Sequence, residues 1–397
     1  SGIGPFAPLS LNIAPSTAQW ARDFLAPRGG QQISWVAVQV GASDPMKAWR
    51  PELFGQTLAA LSRQTPVGYV FIGTESERKA IETAQMAYRQ AGGRGPLCDA
   101  VGRTTLPQLA AVLAQCRLLL TNDTGPMHLA VGVGTPVIDL SVGHVDFRET
   151  GPYGPGHWIV QPDMGCAPCG FDQVCLHHAC KDRLVPDQIA ALCLHVLNGG
   201  AFPEKLTGIK IYRSRVDEDG LGSTELHAGR EDPTVSWYGR FWRRFWFEQF
   251  TGRPSLVPMV SEPPPDWKES MALLDRLMPL AARLVSRAEE LVRLTARRPL
   301  PISTLQQMQL EESGERQTVV ALSLQSPATA SLAVALVRDT HNDDGHELTG
   351  MAECRLATYR RWRKRLHTVA AGFRSFNTAQ GFAPRGTTVA VPMARIG

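Results

Sequence analysis

The stretch RLLLTNDTGPMHLAVGVGTPVIDLS, residues 117–141, determines the predicted fold. Its apolar residues 118–120 predict a buried strand, and residues 136–140 predict a second one. Between the two, Thr124 is a typical helix N-cap, and Pro126 falls in the first helical turn, where its missing N–H is harmless. Strand, turn, helix and strand in this order form the βαβ unit of a parallel sheet. Ligands of open α/β folds bind at the carboxyl edge of such a sheet.

The alternation of strands and helices continues on both sides of this stretch. Further strands are predicted at 33–40, 67–73 and 157–160, and helices at 51–61, 75–90, 106–116 and 186–197. The sequence therefore predicts an α/β fold, a Rossmann-like doubly wound parallel sheet, over residues 33–200.

Beyond residue 200 the composition changes. Residues 201–265 are rich in Asp, Glu, Arg, Gly and Pro, and predict an irregular linker region. Apolar residues keep to one helical face from Trp267 to Arg298, and further helices are predicted at 328–337 and 351–373. We therefore expect residues 266–397 to form a mainly helical C-terminal region of unknown role.

Composition excludes several classes of protein. The 397 residues carry a net charge of +4, far from the basic footprint of a dedicated nucleic-acid-binding protein, so no nucleic-acid partner is expected. No apolar run approaches the ~18 residues that a membrane-spanning helix needs. The cysteines outside residues 166–180 fall mostly in predicted buried elements, which favours a reducing compartment and a cytoplasmic location.

Polar side chains follow the first two predicted strands. Ser43 and Lys47 come after the first strand, where backbone N–H groups and an ammonium can bind a phosphate; a plain surface turn is the alternative. Thr74, Glu75 and Glu77 come after the second strand, where a carboxylate can bind ribose hydroxyls. A glutamate in a first helical turn is also favoured by the helix dipole alone.

The most informative polar residues follow the strand predicted at 118–120. Thr124 and Gly125 offer backbone N–H groups at a helix N-terminus, which suits a diphosphate. Asp123 can accept a hydrogen bond from a sugar hydroxyl, and His128 can donate one to a phosphate oxygen. In the alternative interpretation, Asp123 only caps the helix and His128 packs against the sheet.

These residues resemble a known family. Residues 33–197 are similar to the C-terminal, donor-binding half of glycosyltransferase family 9, the ADP-heptose:lipopolysaccharide heptosyltransferases. The resemblance lies in GASDPMKAW at 41–49, NDTGPMHLA at 122–130, GTPVIDL at 134–140, TGPYG at 150–154 and the CAPC segment with its later cysteines. It implies a GT-B architecture of the metal-independent inverting type, in which the C-terminal domain binds the nucleotide-sugar and no cofactor is required.

The resemblance also implies roles for individual residues. It places Ser43 and Lys47 on the donor phosphates and Glu75 or Glu77 near the ribose. Thr104 and Thr105 match the stretch that lines the adenine side. Asp123, Thr124, Gly125 and His128 match the motif that binds the diphosphate and the heptose.

The implied function is transfer of a heptose, or a related sugar, from an ADP-sugar to a lipopolysaccharide-type glycan with inversion. In the family, the carboxylate that deprotonates the acceptor belongs to an N-terminal domain. Residues 1–32 match only the connection from that domain, so we expect a missing N-terminal domain and donor binding with little or no turnover. A non-catalytic nucleotide-sugar-binding or scaffolding module is the alternative.

Two further segments suggest ligands. The spacing C-x2-C-x5-C-x4-C at 166–180, with His177 and His178 inside it, is compatible with a structural zinc; a reduced packed loop or a disulfide pair are the alternatives. YGRFWRRFWFEQF at 238–250 fits a partly buried helix best, with peripheral contact at the inner membrane or stacking on single-stranded nucleic acid as alternatives. YRRWRKRLH at 359–367 is typical of a solvated basic helix face.

Overall fold

The computed structural model describes residues 8–26, 33–170, 173–218, 220–256, 262–341 and 347–379. The chain forms two compact units, the first ending at Glu231 and the second beginning at Asp232. A sheet with helices on both faces makes up the first unit, and helices make up the second. No described helix is long and apolar enough to cross a membrane.

The sheet is largely parallel, as predicted. Its described strands are β1 Trp35–Gln39, β2 Gly68–Ile72, β3 Leu97–Asp99, β4 Cys116–Asn122, β5 Val137–Leu140, β6 Trp158–Pro162, β7 Ile209–Val216 and β8 Gly222–Ala228. Their order is β3-β2-β1-β4-β5-β6-β7-β8, with β1 to β6 parallel and β7 and β8 antiparallel. The order reverses between β1 and β4, and at such a switch point open α/β sheets bind ligands.

Helices cover both faces of this sheet. They are α1 Pro15–Leu25, α2 Pro51–Ser62, α3 Arg78–Gln90, α4 Leu106–Ala114, α5 Gly125–Gly132, α6 Phe147–Thr150, α7 Ala179–Arg183 and α8 Pro186–Asn198. On one face, α2, α3 and α8 pack over the core that contains Val38 and Leu120. On the other, α1, α4 and α5 pack over Ala37 and Leu119. Because both faces are covered, the central strands read as almost continuous apolar runs.

Residues 201–265 differ from the irregular linker that the sequence predicts. β7 and β8 form a hairpin that extends the sheet beyond β6, and a helix, α9 Pro233–Thr251, follows it. In β7, Tyr212 and Ser214 are buried whereas the intervening Arg213 and Arg215 are exposed. This is the alternation of a half-buried antiparallel strand, and the high charge of the region obscures it in the sequence.

Five helices form the second unit in the described residues: α9, α10 Trp267–Thr295, α11 Ile302–Ser323, α12 Pro327–His341 and α13 Leu348–Ala379. The three helices predicted after residue 265 are confirmed as α10, α12 and α13. α11 is not predicted, because its sequence is polar around most of its circumference and shows no clear apolar face.

Two aromatic segments lie in the core of this unit. In α9, Trp237 and Phe245 are buried, and Trp246 Nε1 donates to Ser331 Oγ at 2.6 Å, so the interpretation as a partly buried helix is confirmed. The expected solvated basic face at 359–367 is wrong in part. Trp362 and Leu366 are almost completely buried there, since α13 packs its apolar face against α10 and α12.

We predict that Trp362→Ala lowers the free energy of unfolding of the helical unit by about 3–5 kcal/mol, because truncation leaves a cavity in a packed core. Trp362 is 1% exposed, and its Nε1 donates to the Leu332 carbonyl at 2.9 Å. Arg360→Ala is the matched control on the same helix. It removes an exposed ion pair with Glu289 and should cost less than about 1 kcal/mol. Urea unfolding followed by circular dichroism measures both, and equal losses would contradict the assignment of Trp362 to the core.

Candidate functional site

The turn after β1 forms one wall of the carboxyl edge. Asp44 Oδ1 accepts a hydrogen bond from Met46 N at 2.8 Å and so caps a 3₁₀ turn, Pro45–Lys47. Ser43 is exposed and Lys47 is half-buried. The loop after β5 packs directly on this turn: Gly143 has φ +68°, and a Cβ there would lie 2.3 Å from the Met46 carbonyl oxygen. The backbone on either side of Lys47 is therefore held in place.

The side chain of Asn122 joins the ends of β1 and β4. It is completely buried, and its Oδ1 accepts from Trp49 N at 2.9 Å. Its Nδ2 donates to the carbonyls of Val40 at 2.8 Å and Gly41 at 3.2 Å. The sequence indicates Asn122 only as a polar break after an apolar run. In the structure it fixes the turn that carries Lys47 relative to the start of α5.

After β2, the carboxylate of Glu77 accepts hydrogen bonds from a backbone amide and from a side chain of the neighbouring strand β1. Its Oε2 accepts from Thr74 N at 2.6 Å, one half of a capping box, and its Oε1 accepts from Gln39 Nε2 at 2.7 Å. A Cβ on Gly41 would lie 2.0 Å from Glu77 Oε1, so only glycine allows this close approach. Glu77 therefore lies against the turn after β1, as a ribose-side residue would, while its oxygens already accept hydrogen bonds from the protein.

The carboxylate of Glu75 is hydrogen-bonded to another side chain of the protein. Arg78 donates to Glu75 Oε2 at 2.8 Å and to Asp99 Oδ2 at 3.1 Å. The Arg78 guanidinium lowers the pKa of the Glu75 carboxyl. Since a Cβ on Gly102 would lie 3.0 Å from Glu75 Oε2, the loop after β3 approaches the same carboxylate.

Thr104 and Thr105 follow in the loop after β3. Thr105 caps α4, with its N donating to Gln108 Oε1 at 2.9 Å, and Thr104 is half-buried beside it. The capping box explains a threonine at position 105 by local structure, without a ligand. The structure thus places both threonines at the carboxyl edge, next to the end of β2.

At the start of α5, the side chains of Asp123 and Thr124 leave the first helix amides without a side-chain cap in the described residues. Asp123 is 6% exposed and accepts from Thr150 Oγ1, so it is held by the loop after β5 instead of capping the helix. Thr124 is the N-cap, but its side chain makes no capping bond within the described residues; it lies 3.2 Å from Thr121 Oγ1. Gly125 and His128 are exposed. Helix amides that lack a side-chain cap attract anions.

A cleft of about 420 Å³ opens beside the ends of β1 and β2. Gly41, Ala42, Ser76 and Glu77 line it, together with Lys181 from α7. Burial lowers the pKa of Lys181, whose Nζ donates to the Pro45 carbonyl at 2.6 Å. Of the predicted site residues, Glu77 alone lines this cleft; the others lie along the strand ends around it.

Sequence reasoning missed Asp139 on β5. It is completely buried, and Ser141 Oγ donates to its Oδ2 at 2.7 Å. The pKa of Asp139 is raised to about 7, mainly by burial and in smaller part by the Asp123 carboxylate, against the lowering effects of the Ser141 hydrogen bond and Lys47. A charged residue type within the apolar run PVIDL was the available signal.

Comparison with known proteins gives a match that includes the residues of this edge. The sequence model of glycosyltransferase family 9 (heptosyltransferase) matches residues 10–179. Over these residues the chain is therefore similar to glycosyltransferase family 9. Lipooligosaccharide heptosyltransferase 2 of Campylobacter jejuni is 27% identical over 166 residues, 41% of this chain and 50% of that protein. The lipopolysaccharide core heptosyltransferase OpsX of Haemophilus influenzae is 46% identical over 52 residues, 13% of this chain and 15% of that protein.

Solved structures show a similar partial match. The ADP-heptose lps heptosyltransferase II of E. coli has a TM-score of 0.39 and 18% identity, covering 47% of this chain and 53% of that chain. A family 9 glycosyltransferase from Veillonella parvula has a TM-score of 0.32 and 28% identity, covering 36% and 40%. The chain spans about half the length of the curated heptosyltransferase from Campylobacter jejuni that it matches.

The cysteine segment at 166–180 forms no metal site in the described residues, where no group of three or more His, Cys, Asp or Glu side chains is placed to hold an ion. Cys175 Sγ lies 3.9 Å from His177 Nδ1 and accepts from His178 N at 3.3 Å. The structural zinc considered for this segment thus receives no support from its geometry. The four cysteines there are free thiols.

We predict that Asn122→Ala lowers the free energy of unfolding of the first unit by about 2–4 kcal/mol, because it leaves buried backbone groups of Val40 and Trp49 without their partner. Thr105→Ala is the control: it removes one exposed cap and should cost about 1 kcal/mol. Urea unfolding measures both variants. A loss for Asn122→Ala no larger than that of the control would show that the link between β1 and β4 matters little.

Proposed function

We propose that residues 33–200 bind the donor of a heptosyltransferase-type glycosyltransferase, an ADP-activated heptose or a related nucleotide-sugar. The observation that carries the proposal is the start of α5 at the switch point of the sheet, where Gly125 is exposed and the helix has no side-chain cap in the described residues. The family 9 match over residues 10–179 includes this helix and the turn of Lys47.

The proposed chemistry uses charge rather than a metal ion. When the bond from the sugar to the diphosphate breaks, negative charge develops on the leaving nucleotide diphosphate. In the proposal, the α5 amides and the Lys47 ammonium stabilise that charge. In this scheme Ser43 assists Lys47 on the phosphates, and His128 donates to a phosphate oxygen.

The remaining site residues are assigned to the sugar and the nucleoside. Asp123, held by Thr150, accepts from a sugar hydroxyl. Thr74, Glu75 and Glu77 form the ribose side, and Thr104 and Thr105 the adenine side. Since Glu77 and Thr105 also hold helix caps, we assign them to shaping the site through the backbone they fix.

The acceptor is proposed to be a lipopolysaccharide-type glycan, in line with the names of the Campylobacter and Haemophilus relatives. Inverting transfer needs a base that takes the proton of the acceptor hydroxyl. All eleven residues above are assigned to the donor, so we propose that this base lies outside residues 33–200.

We predict that the chain binds ADP in calorimetry with EDTA present, and that Lys47→Ala weakens binding by roughly 10- to 100-fold through loss of a charged hydrogen bond. Lys79→Ala, which removes an exposed lysine of α3, is the control and should leave the affinity unchanged. Absence of ADP binding by the wild-type chain into the millimolar range would remove the donor-site proposal. Equal affinities of the two lysine variants would remove the role of Lys47.

A further inference from the structure

Asp139 is a buried acid that the proposed chemistry leaves unused. Its Oδ2 accepts from Ser141 Oγ at 2.7 Å, whereas its Oδ1 is buried with no hydrogen-bond partner in the described part of the chain. A buried carboxylate oxygen without a partner costs free energy, and native proteins rarely keep one without a reason. Asp139 is 0% exposed, so solvent does not compensate for the missing bond.

The sheet places Asp139 beneath the start of α5. Asp139 pairs in register with Thr121 of β4, and Thr121 Oγ1 lies 3.2 Å from the Oγ1 of the N-cap Thr124. Because side chains alternate along a strand, Asp139 shares the sheet face of Val137, which packs in the core with Met127 of α5. The buried acid and the proposed diphosphate-binding amides thus lie on the same side of the sheet.

The charged groups that act on Asp139 belong to the same edge. The Asp123 carboxylate, after β4, raises the pKa of Asp139, and the Lys47 ammonium, after β1, lowers it. From the other side, β6 contributes the uncharged Ile159 in register. Burial is the largest cause and outweighs the Ser141 hydrogen bond, so the pKa of Asp139 is raised to about 7 and both protonation states are populated near neutral pH.

We propose that Asp139 is a positioning residue whose proton controls how tightly this edge holds the donor diphosphate. The inference rests on the proposed donor site. As a neutral acid, Asp139 adds no charge beside the diphosphate, and Lys47 is directed to the ligand. As a carboxylate, it repels the diphosphate across a medium of low dielectric constant and attracts Lys47. Binding therefore weakens as pH rises, and by reciprocity the bound diphosphate favours the protonated form.

The test measures calorimetric affinity for ADP-glucose from about pH 6 to about pH 9, the range around neutrality in which the acid titrates. This probe is chosen because its diphosphate is a diester that does not titrate in this range. We expect the wild-type affinity to fall about tenfold over the range, with a proton taken up on binding, as shown by runs in two buffers of different ionisation enthalpy. Asp139→Asn should lose both the fall and the uptake.

Two further variants make the outcome specific. Only the difference between wild type and Asp139→Asn is interpreted, because pH effects from other groups are common to both proteins. Glu82→Gln, an exposed acid of α3, should keep the wild-type profile. Ser141→Ala removes a hydrogen bond that lowers the pKa of Asp139, so affinity should persist to higher pH. This variant also tests the proposal if Asp139→Asn fails to fold.

The result that overturns the inference is wild-type binding whose pH profile and proton uptake are the same in Asp139→Asn, or unmoved in Ser141→Ala. Failure of the wild-type chain to bind ADP-glucose or ADP at any pH is a different result. It would overturn the donor site itself and this inference with it.

Discussion

The hydrogen bonds of the Asn122 side chain are the constraint on which the site depends. β1 and β4 are far apart in the sequence but pair in the middle of the sheet. Their carboxyl ends must stay in register for one ligand to contact both. Asn122 bonds three backbone groups of the opposite strand end, and all three lie within Val40–Trp49. An amide is suited to this task because it donates and accepts at once.

The consequences extend along the edge. The turn fixed by Asn122 carries Lys47, and the loop after β5 packs on that turn through Gly143. The same loop holds Asp123 through Thr150. Positively and negatively charged groups thereby lie along one edge of the sheet. If this edge binds the donor as proposed, the amides of α5 and Lys47 attract the diphosphate, and the buried Asp139 limits how strongly it is held. In the proposed function, such a balance favours release of the nucleotide diphosphate after transfer.

Much of the first unit follows from its sequence, because a parallel sheet covered on both faces leaves contiguous apolar runs that are easy to recognise. The strand-end rule then places Lys47, Glu75 and Asp123 at one edge without knowledge of any contact. What it does not separate is ligand binding from capping. Glu77 and Thr105 sit in capping boxes, whose Thr-x-x-Glu and Thr-x-x-Gln spacings were visible in the sequence.

Other features of the structure were not predicted from the sequence, and each has a physical reason. The hairpin of β7 and β8 is a half-buried edge in a charged region, so its alternation is diluted. Asp139 lies in an apolar run, and its complete burial depends on tertiary contacts that the sequence alone does not show. In α13, Arg365 is buried and paired with Asp339 at 3.0 Å. From the charge-rich sequence alone, this residue is predicted to be solvated.

The most direct test of the central claim is a titration of the ¹⁵N-labelled chain with ADP, followed by backbone amide chemical shifts. If the start of α5 binds the diphosphate, the amides of Thr124 and Gly125 should shift most, with Lys47 following, and Lys47→Ala should reduce all three shifts at a fixed ADP concentration. Shifts confined to other parts of the sheet or to the helical unit, with Gly125 unmoved, would contradict the account.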